Sequence, residues 1–117
     1  MNNKHYIVRG DVWLVNLDPT VGREQAKCRP CLVMSPELFN QGPAELVVIV
    51  PITSTFRQIS WFIQIDPPEG GLIKRSYIMC NQIRTVSIDR FQGNRLGSLY
   101  SKTMHHIENR LRILLNL

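Results

Sequence analysis

The chain has 117 residues, 44% of them hydrophobic, which fits one domain (residues 1–117) around a single core. It contains neither the run of ~18 apolar residues of a membrane span nor the apolar stretch of a secretory signal, so we expect a cytoplasmic protein without a membrane segment. Its 14 Lys and Arg against 9 Asp and Glu give a net charge of +5, which suits a polyanionic partner, either nucleic acid or an acidic protein segment.

The first half of the chain contains four apolar runs that predict β-strands. They are Val12–Leu17, Cys31–Met34, Glu45–Ile52 and Trp61–Ile65. The third run is continuously apolar and rich in β-branched residues, which favours a strand buried on both faces. The fourth alternates between two faces, as a half-buried strand does.

The second half begins with a turn and ends with a helix. Pro67–Gly71 predicts a turn, and Tyr77–Cys80 and Gln82–Val86 predict one further strand or a broken pair. Short strands separated by Gly and Pro favour a small barrel over a βαβ sheet. From Ser101, the candidate N-cap, apolar residues recur at helical spacing and predict one buried helix face: Met104, Ile107, Leu111 and Leu114. The expected class is α+β, mainly β, with a C-terminal α-helix packed on the barrel.

A charged loop lies between the first two predicted strands, with five polar or charged residues in seven positions: Arg23, Glu24, Gln25, Lys27 and Arg29. Charged groups on a loop held by rigid strands are typical of binding and catalytic sites. Metal-free RNA cleavage needs donors for the charge that develops on the phosphate oxygens, and a guanidinium donates paired hydrogen bonds to them. Arg29 is therefore a candidate clamp, and Thr53, just after the third run, a candidate second donor. A surface salt bridge for Arg29 and an ordinary turn hydroxyl for Thr53 are the alternatives.

Other chemistries find less support in the sequence. Cys28 and Cys31 have the spacing of a zinc pair, with Cys80 and the histidines as further ligand candidates, but no second pair has metal spacing. The carboxylates are scattered singly, unlike those of a two-metal nuclease. The pair His105–His106 invites an acid–base role, yet neighbours on a helix point ~100° apart, which favours solvated or packed side chains. We expect reduced thiols, no metal and no cofactor.

Three blocks of sequence carry a family resemblance. They read RGDVWLVNLDPTVGREQAKCRPCLVMS at Arg9–Ser35, VPITS at Val50–Ser54 and NQIRTV at Asn81–Val86. With the terminal helix, they cover nearly the whole chain. In this combination and order, the chain resembles the MazF/PemK family of toxins, the endoribonuclease half of type II toxin–antitoxin pairs.

The resemblance implies an SH3-like barrel, usually a homodimer with RNA lying across the dimer groove. It also implies sequence-specific, metal-independent cleavage of single-stranded RNA to a 2′,3′-cyclic phosphate and a 5′-hydroxyl, with inhibition by a cognate antitoxin. By position, Arg29 and Thr53 match the catalytic arginine and threonine, and Glu24 matches a loop glutamate implicated in activity. Gln25 and Gln82 match positions that contact RNA bases.

The sequence departs from the family pattern at two positions of the charged loop. Arg23 and Lys27 replace smaller or uncharged residues of many relatives, which implies a different RNA affinity or sequence preference. Because a guanidinium is a poor general base, we interpret Arg29 as the phosphate clamp, with Glu24 or a water that it orients accepting the 2′-hydroxyl proton.

Two rival functions stay open at the level of sequence. One is a non-enzymatic toxin of the same fold that poisons DNA gyrase, since one fold hosts many functions. The other is an SH3-type module that binds extended peptides and exposes clustered aromatic residues. Apart from Trp61 and Phe62, which core packing or base stacking would explain, the aromatic residues are dispersed along the chain.

Overall fold

A computed structural model describes residues 6–19, 21–24 and 27–117, where seven β-strands and two α-helices make up the regular structure. The strands are β1 (Asp11–Asn16), β2 (Cys28–Val33), β3 (Leu46–Thr53), β4 (Phe62–Ile65), β5 (Ser76–Met79), β6 (Arg84–Ser87) and β7 (Phe91–Ser98). The helices are α1 (Glu37–Asn40) and α2 (Ser101–Leu115). These bounds confirm the four early strands, the broken pair and the C-terminal helix, whereas α1 and β7 were not predicted. No helix in these ranges is long and apolar enough to cross a membrane.

The strands form one antiparallel sheet in the order β4-β5-β3-β2-β1-β7, with β6 also paired to β3. The central strand β3 pairs with β2 along one edge, and with β6 and then β5 along the other. The mainly-β, α+β class is therefore confirmed.

The predicted barrel needs one correction, because the hydrogen-bonded path through the described strands is open between β4 and β7. A short 3-10 turn at Glu69–Gly71 packs against β7 instead. The two backbones touch at Gly71 and Gly97: a Cβ built on Gly71 would lie 1.9 Å from the carbonyl oxygen of Leu96. Backbone packing of a turn thus takes the place of the last strand pairing.

Buried apolar side chains form one cluster on each face of the sheet. The first joins the sheet to α2 and includes Val12, Leu32, Val50, Ile52, Ile78, Met104, Ile107 and Leu111. The second includes Ile7, Trp13, Val15, Cys31, Val33, Val47, Ile49, Val86 and Phe91. Alternate residues of β3 belong to different clusters, which confirms that this strand is buried on both faces, and α2 buries the predicted apolar face.

The start of α2 corrects the predicted cap, because the N-cap residue is Tyr100 rather than Ser101. The Tyr100 carbonyl accepts the first helical hydrogen bond from the Met104 N–H at 3.0 Å. The Tyr100 N–H donates to Oε2 of the buried Glu69 at 3.0 Å. A long-range contact, not a capping side chain, sets the helix start, and local sequence carries no signal for it.

Candidate active site

Arg29 and Thr53 line one cleft, with a volume of about 210 Å³. Arg29 lies near the start of β2, opposite Val15 of β1, and Thr53 is the last residue of β3. The β2–β3 pairing ends with Cys31 opposite Pro51, two residues from Arg29 on β2 and two residues from Thr53 on β3. The antiparallel pairing of these strands therefore brings to one cleft two residues that are far apart in the sequence.

The Thr53 hydroxyl is nearly buried, since the residue is 7% exposed. Its Oγ1 accepts a hydrogen bond from the Thr55 N–H at 3.1 Å, so the turn-hydroxyl interpretation is correct as far as it goes. Because a hydroxyl has one proton and two acceptor lone pairs, accepting this bond leaves the proton available to a ligand. Thr53 can therefore keep the turn contact and donate to a ligand at the same time.

The buried thiol of Cys31 lies close to Arg29 in β2. The Cys31 Sγ donates to the Arg29 carbonyl at 3.5 Å. Burial raises the pKa of Cys31 to about 12, although the nearby charges of Arg84 and Arg29 lower it. Cys31 is therefore uncharged at neutral pH and adds no negative charge beside Arg29.

Three charged residues that precede Arg29 in the loop, namely Arg23, Glu24 and Lys27, do not line the cleft. The Lys27 N–H donates to Asp18 Oδ1 at 2.9 Å, and the Leu17 N–H donates to the Lys27 carbonyl at 2.9 Å. Glu24 Oε1 accepts from the Val21 N–H at 2.6 Å. Both Glu24 and Lys27 are exposed, as is Arg23, and none of the three is among the residues that line the cleft.

Two further predicted residues are glutamines, Gln82 and Gln25. Gln82 is half-buried in the 3-10 turn Cys80–Gln82, next to α2 and β3, and does not line the cleft. Gln25 lies outside the described residues. Among the predicted site residues that the structure describes, Arg29 and Thr53 are the two that share the cleft.

Lys74 is a cleft residue that the sequence reasoning missed. It precedes β5, and its carbonyl accepts from the Ser76 Oγ at 2.9 Å. The adjacent Arg75 donates from Nε to Asp66 Oδ1 at 2.7 Å, and this hydrogen bond lowers the pKa of Asp66. Arg75 is thus paired outside the cleft while Lys74 lines it. The only sequence signal was a basic pair after a turn, and nothing in chain order links it to Arg29.

The candidate metal ligands that the structure describes are dispersed. Cys28 is exposed and lines the cleft, whereas Cys31 and Cys80 are buried. Across the described ranges, no three His, Cys, Asp or Glu side chains gather in a way that would hold a metal ion. His105 and His106 are both exposed, and His105 lines a different cleft.

Comparison with known sequences identifies relatives over nearly the full length. The sequence model of PemK-like, MazF-like toxins of type II toxin–antitoxin systems matches residues 8–115. An Escherichia coli protein named endoribonuclease PemK is 34% identical over 118 residues, covering 98% of this chain and 86% of its own.

Solved structures agree with the sequence comparison. Crystalline MazF from Deinococcus radiodurans has a TM-score of 0.85 at 20% identity, covers 97% of this chain and 99% of its own, and shows the shared fold. A mycobacterial endoribonuclease, solved in complex with its cognate antitoxin, has a TM-score of 0.75 at 27% identity and covers 95% and 96% of the two chains. The match over residues 8–115 and the PemK relative together show that this chain belongs to the PemK-like, MazF-like family of type II toxin–antitoxin toxins.

Proposed function

We propose that this chain is a metal-independent, sequence-specific endoribonuclease that cleaves single-stranded RNA and is inhibited by a cognate antitoxin. The observation that carries the proposal is the cleft in which Arg29 and Thr53 meet. Relatives of the chain are named endoribonucleases, and one neighbour was solved with its antitoxin. A binding module without catalytic activity has no need of this pair of donors.

The proposed reaction is an internal transesterification. The RNA 2′-oxygen attacks the adjacent phosphorus, so that the bond from phosphorus to the 2′-oxygen forms and the bond to the 5′-oxygen breaks. A base accepts the 2′-hydroxyl proton, and the departing 5′-oxygen takes up a proton, which leaves a 2′,3′-cyclic phosphate and a 5′-hydroxyl. Arg29 binds the non-bridging oxygens and stabilises their developing charge, and Thr53 donates a second hydrogen bond.

Glu24 is the proposed base and acts through a water that it orients, since it does not line the cleft of Arg29 and Thr53. Its carboxylate is exposed, and the contact with the Val21 N–H holds it on the loop between β1 and β2. We expect Glu24→Gln to lower kcat ~10²–10⁴-fold, the usual contribution of general base catalysis, and to change the pH–rate profile. Near-normal cleavage with an unchanged pH profile would remove Glu24 from this role.

The proposal extends to the partners of the toxin. Arg23 and Lys27 are exposed cations on the loop that suit RNA phosphates, and Gln25 and Gln82 are the proposed base contacts. The protein acts in the cytoplasm as a homodimer with RNA across the shared groove. The same positive surface suits an acidic antitoxin segment laid over the cleft.

The test is incubation of the purified protein with mixed-sequence single-stranded RNA in excess EDTA. We expect cleavage at a defined sequence, with products that end in a cyclic phosphate and begin with a 5′-hydroxyl, and cleavage slowed ~10²–10³-fold by Arg29→Ala. Intact RNA, together with inhibition of DNA gyrase by the same preparation, would contradict the proposal and support the rival gyrase-poisoning function.

A further inference from the structure

Two arginines hold the chain where β1 ends and the charged loop begins. The peptide carbonyls of Asn16, Leu17 and Asp18 each accept a hydrogen bond from a guanidinium. Nη1 of Arg90 donates to the Asn16 carbonyl at 3.1 Å and also to the Asp18 carbonyl, and Nη1 of Arg84 donates to the Leu17 carbonyl at 3.5 Å. Three successive carbonyls that a loop would otherwise leave to water are thus bound by side chains from a distant part of the sequence.

Arg90 reaches these carbonyls from a fixed position on the sheet. It is the last residue of the 3-10 turn Ile88–Arg90, which connects β6 with β7. The next residue, Phe91, pairs with Val15 of β1 and packs edge-to-face on Trp13, with ring centroids 5.8 Å apart. The backbone that carries the Arg90 side chain is therefore fixed by the turn on one side and by the core on the other.

The segment that Arg90 binds is joined in turn to the residues that precede Arg29. The Leu17 N–H donates to the Lys27 carbonyl, and the Lys27 N–H donates to Asp18 Oδ1, both at 2.9 Å. Lys27 lies two residues before Arg29. A continuous set of contacts therefore leads from Arg90 through the end of β1 to the start of β2.

Lys27 needs this support because its backbone is in the left-handed region, with a φ of +67°. A residue other than glycine adopts this conformation at a cost in free energy and keeps it only where its surroundings enforce it. Both main-chain groups of Lys27 are bonded to Leu17 and Asp18. The direction in which β2 begins, and with it the place of Arg29, thus depends on the end of β1.

Two simpler roles for Arg90 fit its contacts less well. A direct RNA ligand would line the cleft of Arg29 and Thr53, and Arg90 does not line it. A surface charge would leave its guanidinium in water, whereas Arg90 is half-buried and its Nη1 is bonded to two carbonyls. Nη1 of a guanidinium carries two N–H bonds, so one nitrogen can serve both carbonyls.

We infer that Arg90 is a positioning residue for RNA cleavage, which holds the end of β1 and, through Lys27, keeps Arg29 aligned with the scissile phosphate. The inference rests on the proposed ribonuclease function and adds to it a residue that touches neither the RNA nor the reacting atoms. When Arg90 is removed, Arg29 is still present and charged but is no longer aligned. The loss should therefore appear in the chemical step rather than in RNA binding.

The test compares the wild-type protein with Arg90→Met, which removes the guanidinium and keeps an unbranched side chain. We expect kcat to fall ~10²-fold, the cost of displacing a catalytic group by about 1 Å, and KM for RNA to stay within ~2-fold. Arg95→Met is the matched control and should leave kcat unchanged. It removes the same charge from β7, but the partner of Arg95 is Asp11, at the other end of β1, with 3.6 Å between Nη1 and Oδ1.

A second variant breaks the same set of contacts without touching Arg90. Asp18→Ala removes the acceptor of the Lys27 N–H, and Asp18 is exposed, so the core is left intact. It should lower kcat and spare KM as Arg90→Met does, which also covers the case in which Arg90→Met does not fold. An unchanged kcat in Asp18→Ala would contradict the proposed link through Lys27.

A double variant tests whether Arg90 acts through Arg29. In single-turnover cleavage, Arg90→Met should slow Arg29→Ala no further, because the group that Arg90 positions is already absent. The same loss of rate with and without Arg29 would show that Arg90 acts in another way.

Hydrogen exchange provides a readout that needs no RNA. The amide protons of Leu17 and Lys27 should exchange ~5- to 10-fold faster in Arg90→Met, about the worth of one hydrogen bond, and at the wild-type rate in Arg95→Met. Wild-type exchange of both protons in Arg90→Met would contradict the role of Arg90 in holding the loop.

The kinetic results separate this inference from the proposed function. An unchanged kcat in Arg90→Met, an equal fall of kcat in Arg95→Met, or a rise of KM alone would overturn the positioning role while wild-type cleavage upholds the ribonuclease. If the wild-type protein cleaves no RNA, the proposed function fails and the inference fails with it.

Discussion

Lys74 and Arg75 are adjacent cations with different surroundings. Lys74 lines the cleft of Arg29 and Thr53, whereas Arg75 is paired with Asp66 at 2.7 Å. We expect Lys74→Gln to lower kcat/KM ~5- to 10-fold, about the worth of one charge-assisted contact to phosphate. The loss should shrink at high salt, because salt screens exposed charges.

Arg75→Gln is the matched control for Lys74→Gln, since it removes the same charge one residue away. The measurement is kcat/KM for RNA cleavage at two salt concentrations. Equal losses in the two variants would show that Lys74 acts only through net charge.

The three cysteines differ in burial, and therefore in their expected reactivity. It raises the pKa of Cys31 to about 12 and that of Cys80 to about 11, whereas Cys28 is exposed. Because the thiolate is the form that alkylates, iodoacetamide at pH 8 should modify Cys28 alone in the native protein and all three cysteines in urea. Mass spectrometry of the labelled peptides reads out the result.

The raised pKa values of Cys31 and Cys80 also predict how the stability of the fold changes with pH. A thiol whose pKa is raised on folding contributes stability that is fully present below its ordinary value of 9.0 and lost as the pH rises towards 11 or 12. Labelling of the buried pair should therefore stay low between pH 7 and pH 9. Native labelling of Cys31 or Cys80 in that range would contradict their burial.

At the level of residues, the sequence predicted those cleft residues that belong to a recognisable motif. Arg29 precedes a proline between two strands, and Thr53 ends an apolar run, so both could be found by position. Lys74 has no such signal, because its place in the cleft depends on the pairing of β5 with β3.

At the level of elements, the contact between the Glu69–Gly71 turn and β7 completes the sheet where strand pairing stops. Gly71 has a φ of +71°, and a Cβ there would lie 1.9 Å from the Leu96 carbonyl oxygen. Gly93 of β7 has nearly the same φ, +68°, but no atom within 4 Å of its Cβ position. Substitutions at these two glycines therefore distinguish the free-energy cost of a left-handed conformation from that of a steric clash.

We expect Gly93→Ala to lower the free energy of unfolding by ~1–2 kcal/mol, the cost of placing a side chain in the left-handed region. Gly71→Ala should cost this amount and ~1–3 kcal/mol more, because the added methyl group forces two backbones apart. Urea unfolding of the two variants gives the difference. Equal destabilisation would contradict the close contact at Gly71.

The elements that the sequence missed are those without an apolar period. Strand β7 (FQGNRLGS) is polar, mostly exposed and contains two glycines. Its own residues do not favour a strand, so its extended conformation depends on the pairing with β1. Helix α1 has four residues, which is too short for a helical repeat to be visible. The predicted strands and α2, in contrast, each bury an apolar face.

At the scale of the whole molecule, the sheet has two functions. Its two clusters of apolar side chains provide the core, and the end of β3 presents Thr53 beside Tyr77 of β5, in the cleft that Arg29 of β2 also lines. The strand pattern and motif order predicted the mainly-β, α+β class, but the open strand path follows from long-range pairing that no local pattern encodes.

The central claim is that Arg29 and Thr53 act on the same phosphate, and a double-mutant cycle in single-turnover cleavage tests it most directly. We expect Arg29→Ala and Thr53→Val each to slow cleavage ~10²–10³-fold, as removal of one donor to a developing oxyanion does. The double variant should be slowed by much less than the product of the two factors, because donors that act as a unit are not additive. Fully multiplicative losses, or near-wild-type rates in either single variant, would contradict the account.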